Sequence, residues 1–334
     1  MISVNEVKLE TAKPQPATLT IVVPCYNEEA ILRNSAEKLS VVLTDLRERQ
    51  LIAESSQILF VDDGSKDSTW NIIHELACGH ACFNGLKLSR NFGHQPALLA
   101  GLMSVTTDIT ISLDADLQDD ISVIKDMVEA YYDGCDIVYG VRKSRGVDTV
   151  GKRVTAQLYY KLLRHMGVDI LEDHADFRLM SYRSLRALES FHEVNLFLRG
   201  IVPLLGFRSR IVTYERKERL AGETKYSLPK MLGLALNGIV AFSSVPLRLI
   251  AWMGAFVSMA AVLFTIWAIA IKIFGVGTVP GWASTVVPIY FLGGVQLLSL
   301  GIIGAYLSRM YDETKARPRY IIADWAKGDP RDVR

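Results

Sequence analysis

The sequence predicts an α/β domain on a mostly parallel sheet, followed by an interfacial segment and two C-terminal transmembrane helices. Three observations carry this. As far as Lys225, short β-rich apolar runs alternate with helical stretches. Beyond that point lie two long apolar stretches almost without charge. The bulk composition is a matching mixture: 50% of the 334 residues are hydrophobic and 22% are charged, with a mean hydropathy of +0.21. That is too apolar for an ordinary soluble enzyme and too charged for a chain lying mainly in a membrane.

The stretch Met1–Ala17 is polar and of mixed charge, without the apolar core of a signal peptide, so the soluble part is expected in the cytoplasm. LTIVVP, Leu19–Pro24, reads as a buried strand, and Glu28–Gln50 as a helix. ILFV, Ile58–Val61, is the second strand and runs straight into Asp62-Asp63-Gly64-Ser65; a helix follows from Ser68. A short strand over Leu86–Leu88, a helix over Gln95–Ser104 and a strand over Ile109–Leu113 lead to Asp114. A helix over Ile121–Tyr132 and a strand over Asp136–Tyr139 complete the pattern. Strands alternating with helices imply a parallel sheet covered on both faces.

Tyr226–Pro246 is apolar and lightly basic, with Gly233 and Gly238; it reads as a helix in the membrane interface, or as an amphipathic helix on the sheet. Leu249–Ile271 carries no charge and is long enough to span a bilayer; Lys272 and the turn residues Gly275, Gly277, Pro280 and Gly281 end it. Val286–Leu307 is a second span. The connecting loop has no Lys or Arg, whereas Arg248 precedes the pair and Arg309, Lys315, Arg317 and Arg319 follow it. The positive-inside rule therefore puts both ends of this multi-pass segment in the cytoplasm and the short loop outside. The expected divisions are a tail over 1–17, a catalytic domain over 18–225, a juxtamembrane segment over 226–247, a membrane domain over 248–308 and a cytoplasmic tail over 309–334.

A net charge of +1 predicts no nucleic-acid partner. Cys25, Cys78, Cys82 and Cys135 lie at no disulfide-framework spacing and suit a reducing compartment. His74, Cys78, His80 and Cys82 in HELACGHAC superficially suggest zinc, but the second pair is not at a recognised ligand spacing, and free thiols account for them better.

Chemistry concentrates at three strand ends. In Leu113-Asp114-Ala115-Asp116-Leu117-Gln118, two carboxylates spaced i, i+2 in a turn can face one cation, and the Gln118 amide oxygen would add a third hard ligand. All-oxygen ligation suits Mg²⁺ or Mn²⁺, which would hold a diphosphate and offset the charge growing on it as it leaves. Asp62-Asp63-Gly64-Ser65 either accepts hydrogen bonds from a base or ribose or caps a helix. In Pro24-Cys25-Tyr26-Asn27-Glu28-Glu29, Tyr26 could stack on a base and Glu28 reach a ribose, or the acidic residues simply start a helix. Neither G-x-G-x-x-G nor G-x-x-x-x-G-K-[ST] is present, which excludes a dinucleotide fingerprint and a P-loop.

The strings IVVPCYNEE, FVDDGSKDST, SRNFGHQPALLAGL and SLDADLQDD closely resemble the family 2 glycosyltransferases of the GT-A (Rossmann-like) fold. Within that family the match is to the polyprenyl-phosphate enzymes: dolichol-phosphate mannose synthases and the bacterial bactoprenol glucosyltransferases of O-antigen modification. It covers nearly the whole chain, and the two apolar spans favour the bactoprenol group. The resemblance implies that Pro24, Tyr26, Glu28 and Asp62 or Asp63 contact the nucleotide, and that Asp114, Asp116 and Gln118 hold the metal. It implies that Arg142 in YGVRKSR approaches the donor or acceptor phosphate, and that Asp176-Phe177-Arg178 belongs to a loop near the acceptor. Arg219 and Lys225 in RLAGETKYS match a loop that closes over the diphosphate. Thr224 stands where the family usually has Ser, and Asp119-Asp120-Ile121 where it often has prolines, so the turn there is expected to differ.

Two phosphates meeting in one site need cations to offset their repulsion, for which Arg142, Arg153, Arg178, Arg219 and Lys225 are the candidates. A lipid phosphate is largely ionised at neutral pH, so it needs no strong base to displace the diphosphate in line, with inversion. The resemblance thus implies one glucose moved from UDP-glucose to undecaprenyl phosphate, with a downstream flippase and surface glycosyltransferase as pathway partners. Gly254, Gly293, Gly294, Gly301 and Gly304 permit close helix packing, either in a homo-oligomer or within one chain. Two other readings remain open: a processive polysaccharide synthase, which usually carries a Gln-x-x-Arg-Trp motif absent here, and a non-catalytic nucleotide-sugar sensor or scaffold.

Overall fold

The computed structural model describes residues 15–142, 174–193, 198–214, 245–273 and 281–328. The expected interfacial helix over Tyr226–Pro246 lies almost wholly outside them, as do Arg153, Arg219 and Lys225. The chain divides into two compact units: Met1–Val147, Leu171–Gly222 and Pro318–Arg334 form one, and Asp148–Ile170 with Glu223–Arg317 the other.

The first unit is an α/β sandwich with a GT-A-like sheet. Its elements are β1 (Leu19–Cys25), α1 (Leu32–Glu48), β2 (Gln57–Asp62), α2 (Thr69–Gly79), β3 (Phe83–Leu88), α3 (His94–Met103), β4 (Ile109–Ser112), α4 (Ile124–Tyr132), β5 (Ile137–Arg142), β6 (His174–Ser181), α5 (Tyr182–Glu189), α6 (Leu198–Leu204), β7 (Ser209–Tyr214) and β8 (Ile322–Ala326). They form one eight-stranded sheet in the order β7-β5-β6-β4-β1-β2-β3-β8. The β-branched run of β1 is buried at every position, and β1 pairs in parallel with β2 on one side and β4 on the other. The chain thus builds outward from β1 to β3 and then returns to β1's other flank. The carboxyl ends of β1 and β4 meet at this switch point, where ligands of open α/β sheets bind.

The helices follow their apolar spacing. Leu32, Ala36, Leu39, Leu43 and Leu46 make the buried stripe of α1. That helix starts at Leu32 rather than the expected Glu28, because the preceding backbone is engaged across the sheet: Glu28 N–H donates to Thr69 Oγ1 at 2.9 Å, and Asn27 sits at φ 55°. On the other face α3 lies tight against the strands; a Cβ on Gly101 would stand 2.4 Å from Val22 Cγ1.

The sheet is mixed. β6 lies antiparallel between β4 and β5, and β8 antiparallel on β3. Asp176-Phe177-Arg178, expected in a loop, therefore stands in β6. Phe177 and Leu179 point into the main core, while Asp176 and Arg178 take the opposite face and are buried there too. A strand carrying buried charge does not show the apolar alternation by which strands are recognised. The stretch written as a tail over 309–334 likewise holds more structure. A long helix continues to Thr314, and Ile322–Ala326 then joins the catalytic sheet.

The second unit contains α7 (Val245–Ile273) and α8 (Trp282–Thr314), which cover both expected spans. Among the described residues, one stretch, Phe291–Thr314, is long and apolar enough to cross a membrane by length and composition; Val245–Val257 is a shorter apolar stretch. Trp252, Phe256, Phe291, Leu297 and Leu300 are all exposed, a run of large apolar side chains of the kind that marks an interaction surface.

Candidate active site

Each loop at the crevice is fixed by backbone hydrogen bonds to its neighbour. Asn27 N–H donates to Ser65 Oγ at 3.0 Å, Lys66 N–H to Asn27 Oδ1 at 2.8 Å, and Ser68 N–H to Glu29 Oε2 at 2.9 Å. The loop after β1 and the loop after β2 are thereby sewn into one wall. Gly64, at φ +67°, lets this wall approach the loop after β3: a Cβ there would lie 2.4 Å from the Arg90 carbonyl carbon. A Gly64→Ala substitution is expected to cost roughly 2–4 kcal/mol, combining left-handed strain with overpacking, and a thermal melt would show it.

Asp62 ends β2, Asp63 follows it, and both are buried. The carboxylate of Asp63 accepts from Phe92 N–H at 2.7 Å and from Gly93 N–H at 2.9 Å. It organises the following loop, which is a different task from the expected nucleotide contact. Asp62 Oδ1 accepts from Ser65 N–H at 3.2 Å, while its buried Oδ2 has no hydrogen-bond partner. Burial pushes both carboxyls above their ordinary range.

Asp114 and Asp116 follow β4 in a turn through Leu117, at φ 45°. The Ala115 carbonyl accepts from Ser35 Oγ of α1 at 2.7 Å, which fixes the turn from below. Burial raises the pKa of Asp114, and the charges of Asp176, Asp119 and Asp116 add to it against the opposing His94. Burial likewise raises Glu28, with further repulsion from Asp116, Asp67 and Asp114. The structure thus brings Glu28, Asp114 and Asp116 into one field of mutual repulsion. Asp114 Oδ1 is buried without a hydrogen-bond partner. An unpaired hard oxygen in a repelling cluster of carboxylates is what a divalent cation would relieve, so Asp114 and Asp116 fit Mg²⁺ or Mn²⁺. The Gln118 side-chain nitrogen donates to Asp116 Oδ2, and its backbone N–H to Oδ1 at 3.3 Å, which sets the amide beside that carboxylate. Among the described residues, no three His, Cys, Asp or Glu side chains form a ready metal cage.

The departure at Asp119-Asp120-Ile121 is also explained. Asp119 is buried and accepts from Arg142 Nη2 at 3.0 Å and Nε at 3.2 Å, while Asp120 Oδ1 caps the short helix after it by accepting from Ser122 N–H. Arg142, expected at a phosphate, is partly exposed and anchored to this carboxylate.

Asp176 is the most heavily bonded acid. It accepts from Arg178 Nη2 at 2.8 Å, Arg199 Nε and Nη2 at 3.2 and 3.1 Å, and Gln95 Nε2 at 3.1 Å; His94 Nε2 lies 3.3 Å away. Burial opposes its charge, yet these donors hold its carboxyl well below the usual carboxylate range. Arg178, expected to meet the acceptor phosphate, is only 1% exposed and lies beneath Asp176, out of reach of a ligand. Sequence reasoning missed Arg199, whose side chain is 40% exposed, as well as His94 and Gln95. The signal for the latter two was SRNFGHQPALLAGL itself, a polar string opening a helix directly after a strand. Of the remaining expected residues, Pro24 is buried within β1 and Tyr26 is 40% exposed just beyond it.

Residues 20–188 match the family described as Glycosyl transferase family 2. The chain belongs to this family. It is 51% identical over 312 residues to a Bacillus subtilis (strain 168) protein named uncharacterized glycosyltransferase YkoT, covering 93% of this chain and 92% of the relative. It is 40% identical over 306 residues to the bactoprenol glucosyl transferase of Shigella phage SfX, covering 91% of this chain and 98% of that one. A mannosyltransferase of Pyrobaculum calidifontis, solved with GDP-Man and Mn²⁺, is 17% identical with a TM-score of 0.47, over 89% of this chain and 88% of that one.

Proposed function

We propose that this glycosyltransferase transfers one glucose from UDP-glucose to undecaprenyl phosphate, with inversion, at the cytoplasmic face of the membrane. The observation that carries the reading is the 40% identity to bactoprenol glucosyl transferase over nearly the full length, the apolar helices included. Tyr26 and Glu28 would bind the nucleotide, Asp114 and Asp116 would hold the cation, and Arg142 would face a phosphate. The cation, when bound, supplies charge for the leaving diphosphate. The protein's own residues position the partners and exclude water.

The sheet supports a paired membrane crossing. Because β8 pairs with β3, the chain leaves the catalytic sheet after β7 and re-enters it after α8. On this reading any crossings made by the intervening segment would be even in number. On this reading Phe291–Thr314 crosses, a second crossing returns the chain to the sheet, and α7 is the long apolar helix among the described residues that would make it.

Purified protein, radiolabelled UDP-glucose, undecaprenyl phosphate and Mg²⁺ or Mn²⁺ should yield a chloroform-soluble, singly glucosylated lipid. Chelation with EDTA should stop the transfer and added Mn²⁺ should restore it. Long polymer would instead indicate a processive synthase. No turnover with UDP-glucose or any other common donor would remove the catalytic reading.

A further inference from the structure

One short segment, Asn91-Phe92-Gly93-His94-Gln95, reaches three carboxylates: Asp63 just after β2, Asp114 just after β4 and Asp176 in β6. Phe92 and Gly93 hold Asp63 through their backbone N–H groups. Gln95 Nε2 donates to Asp176 Oδ2 at 3.1 Å, and Gln95 Oε1 accepts from Leu198 N–H at 3.2 Å. Between them, His94 Nε2 lies 3.3 Å from Asp176 Oδ2 and 3.5 Å from Asp114 Oδ1. Gly93 turns the chain at φ +101°, so the imidazole is presented at the first turn of α3 by a bend that other residues rarely adopt. The His94 side chain remains 45% exposed, which is more than a packing role needs.

We propose that His94 is a positioning residue that orients Asp114 toward a divalent cation by holding it against Asp176. The inference rests on the metal-dependent transferase reading above. A ligating carboxylate takes its bearing from the hydrogen-bond donors around it, and losing such an outer partner typically costs about 10–100-fold in metal affinity. His94 needs no charge for this role. A neutral ring with its proton on Nε2 faces Asp176 Oδ2 at 3.3 Å, and at 3.5 Å Asp114 Oδ1, which accepts no hydrogen bond in this arrangement, stands within a small movement of that donor. Asp176, fixed by Arg178, Arg199 and Gln95, is the rigid side of the clamp, and Asp114 is the side it steers.

The test is Mn²⁺ binding rather than turnover. Full-length protein in detergent with saturating UDP is titrated with Mn²⁺, and free Mn²⁺ is read by electron paramagnetic resonance. His94→Ala and His94→Leu should each bind Mn²⁺ about 10–100-fold more weakly than wild type, with little change in melting temperature. His94→Gln, which keeps an N–H donor, should recover most of the affinity. The two donor-free variants differ in bulk, so if one fails to fold the other still reports. Mn²⁺ affinity within about twofold of wild type in a folded donor-free variant overturns the role, since the outer-partner cost would be missing. A Gln variant as weak as the Ala variant overturns it too. Wild-type protein that binds no Mn²⁺ would instead sink the metal-dependent reading, and this inference with it, so the two failures are told apart.

Discussion

Asp114→Asn and Asp116→Ala should slow sugar transfer by on the order of a thousandfold or more, while leaving the fold intact. Metal stabilisation of a leaving group is worth several kcal/mol, and each 1.4 kcal/mol is about tenfold in rate. The two variants should differ in stability. Burial and three neighbouring carboxylates disfavour the charge on Asp114, so neutralising it removes a cost carried by the folded state. The Asp114→Asn protein should therefore melt at the wild-type temperature or above it, even as its activity disappears. Asp116 is exposed, and its removal should leave the melt unchanged. Lipid-linked label measured beside a thermal melt checks both halves. Retained turnover in either variant would remove the metal assignment.

The largest effect on stability is expected at Asp176. Replacing it by Asn leaves Arg178 charged and buried without the carboxylate that balances it; its other hydrogen bond among the described residues is to the Leu198 carbonyl at 3.4 Å. Breaking a buried pair in this way typically costs about 3–5 kcal/mol. Arg178→Leu should cost less, because Asp176 would keep Arg199, Gln95 and His94. The folded protein holds the Asp176 carboxyl below its ordinary value, so the carboxylate's contribution is present above about pH 4, the range in which an unfolded Asp is ionised, and is lost as pH falls below it. The stability gap between wild type and Asp176→Asn should narrow over that range. A gap that stays constant below pH 4 would mean that Asp176 contributes shape and not charge.

Much of the molecule was legible in its sequence because the signals were local. β1, β2 and β4 are short β-branched runs that each end in a polar turn, and the crevice follows from where they end. The parts that were not legible depend on distant partners. Arg178 looks like a surface cation until β6 is threaded between β4 and β5, which buries it under Asp176. His94 is one histidine at a helix start until β4 and β6 bring Asp114 and Asp176 to its Nε2. Asp119 reads as the third of several acids, and only the approach of Arg142 from β5 gives it a single task. In each case the role is created by strand neighbours far away in sequence, which residue spacing alone does not report.

β8 also sets an order of events during synthesis. β3 is finished early in translation, yet the strand that covers its outer edge is encoded after α8. Until the ribosome has released both long apolar helices, the nascent catalytic unit carries an open edge with unpaired backbone groups, a state prone to pair with other chains. Completion of the enzyme is thus coupled to delivery of its hydrophobic hairpin. A chain stalled before that hairpin leaves the ribosome would be an unfinished sheet rather than a soluble, working transferase.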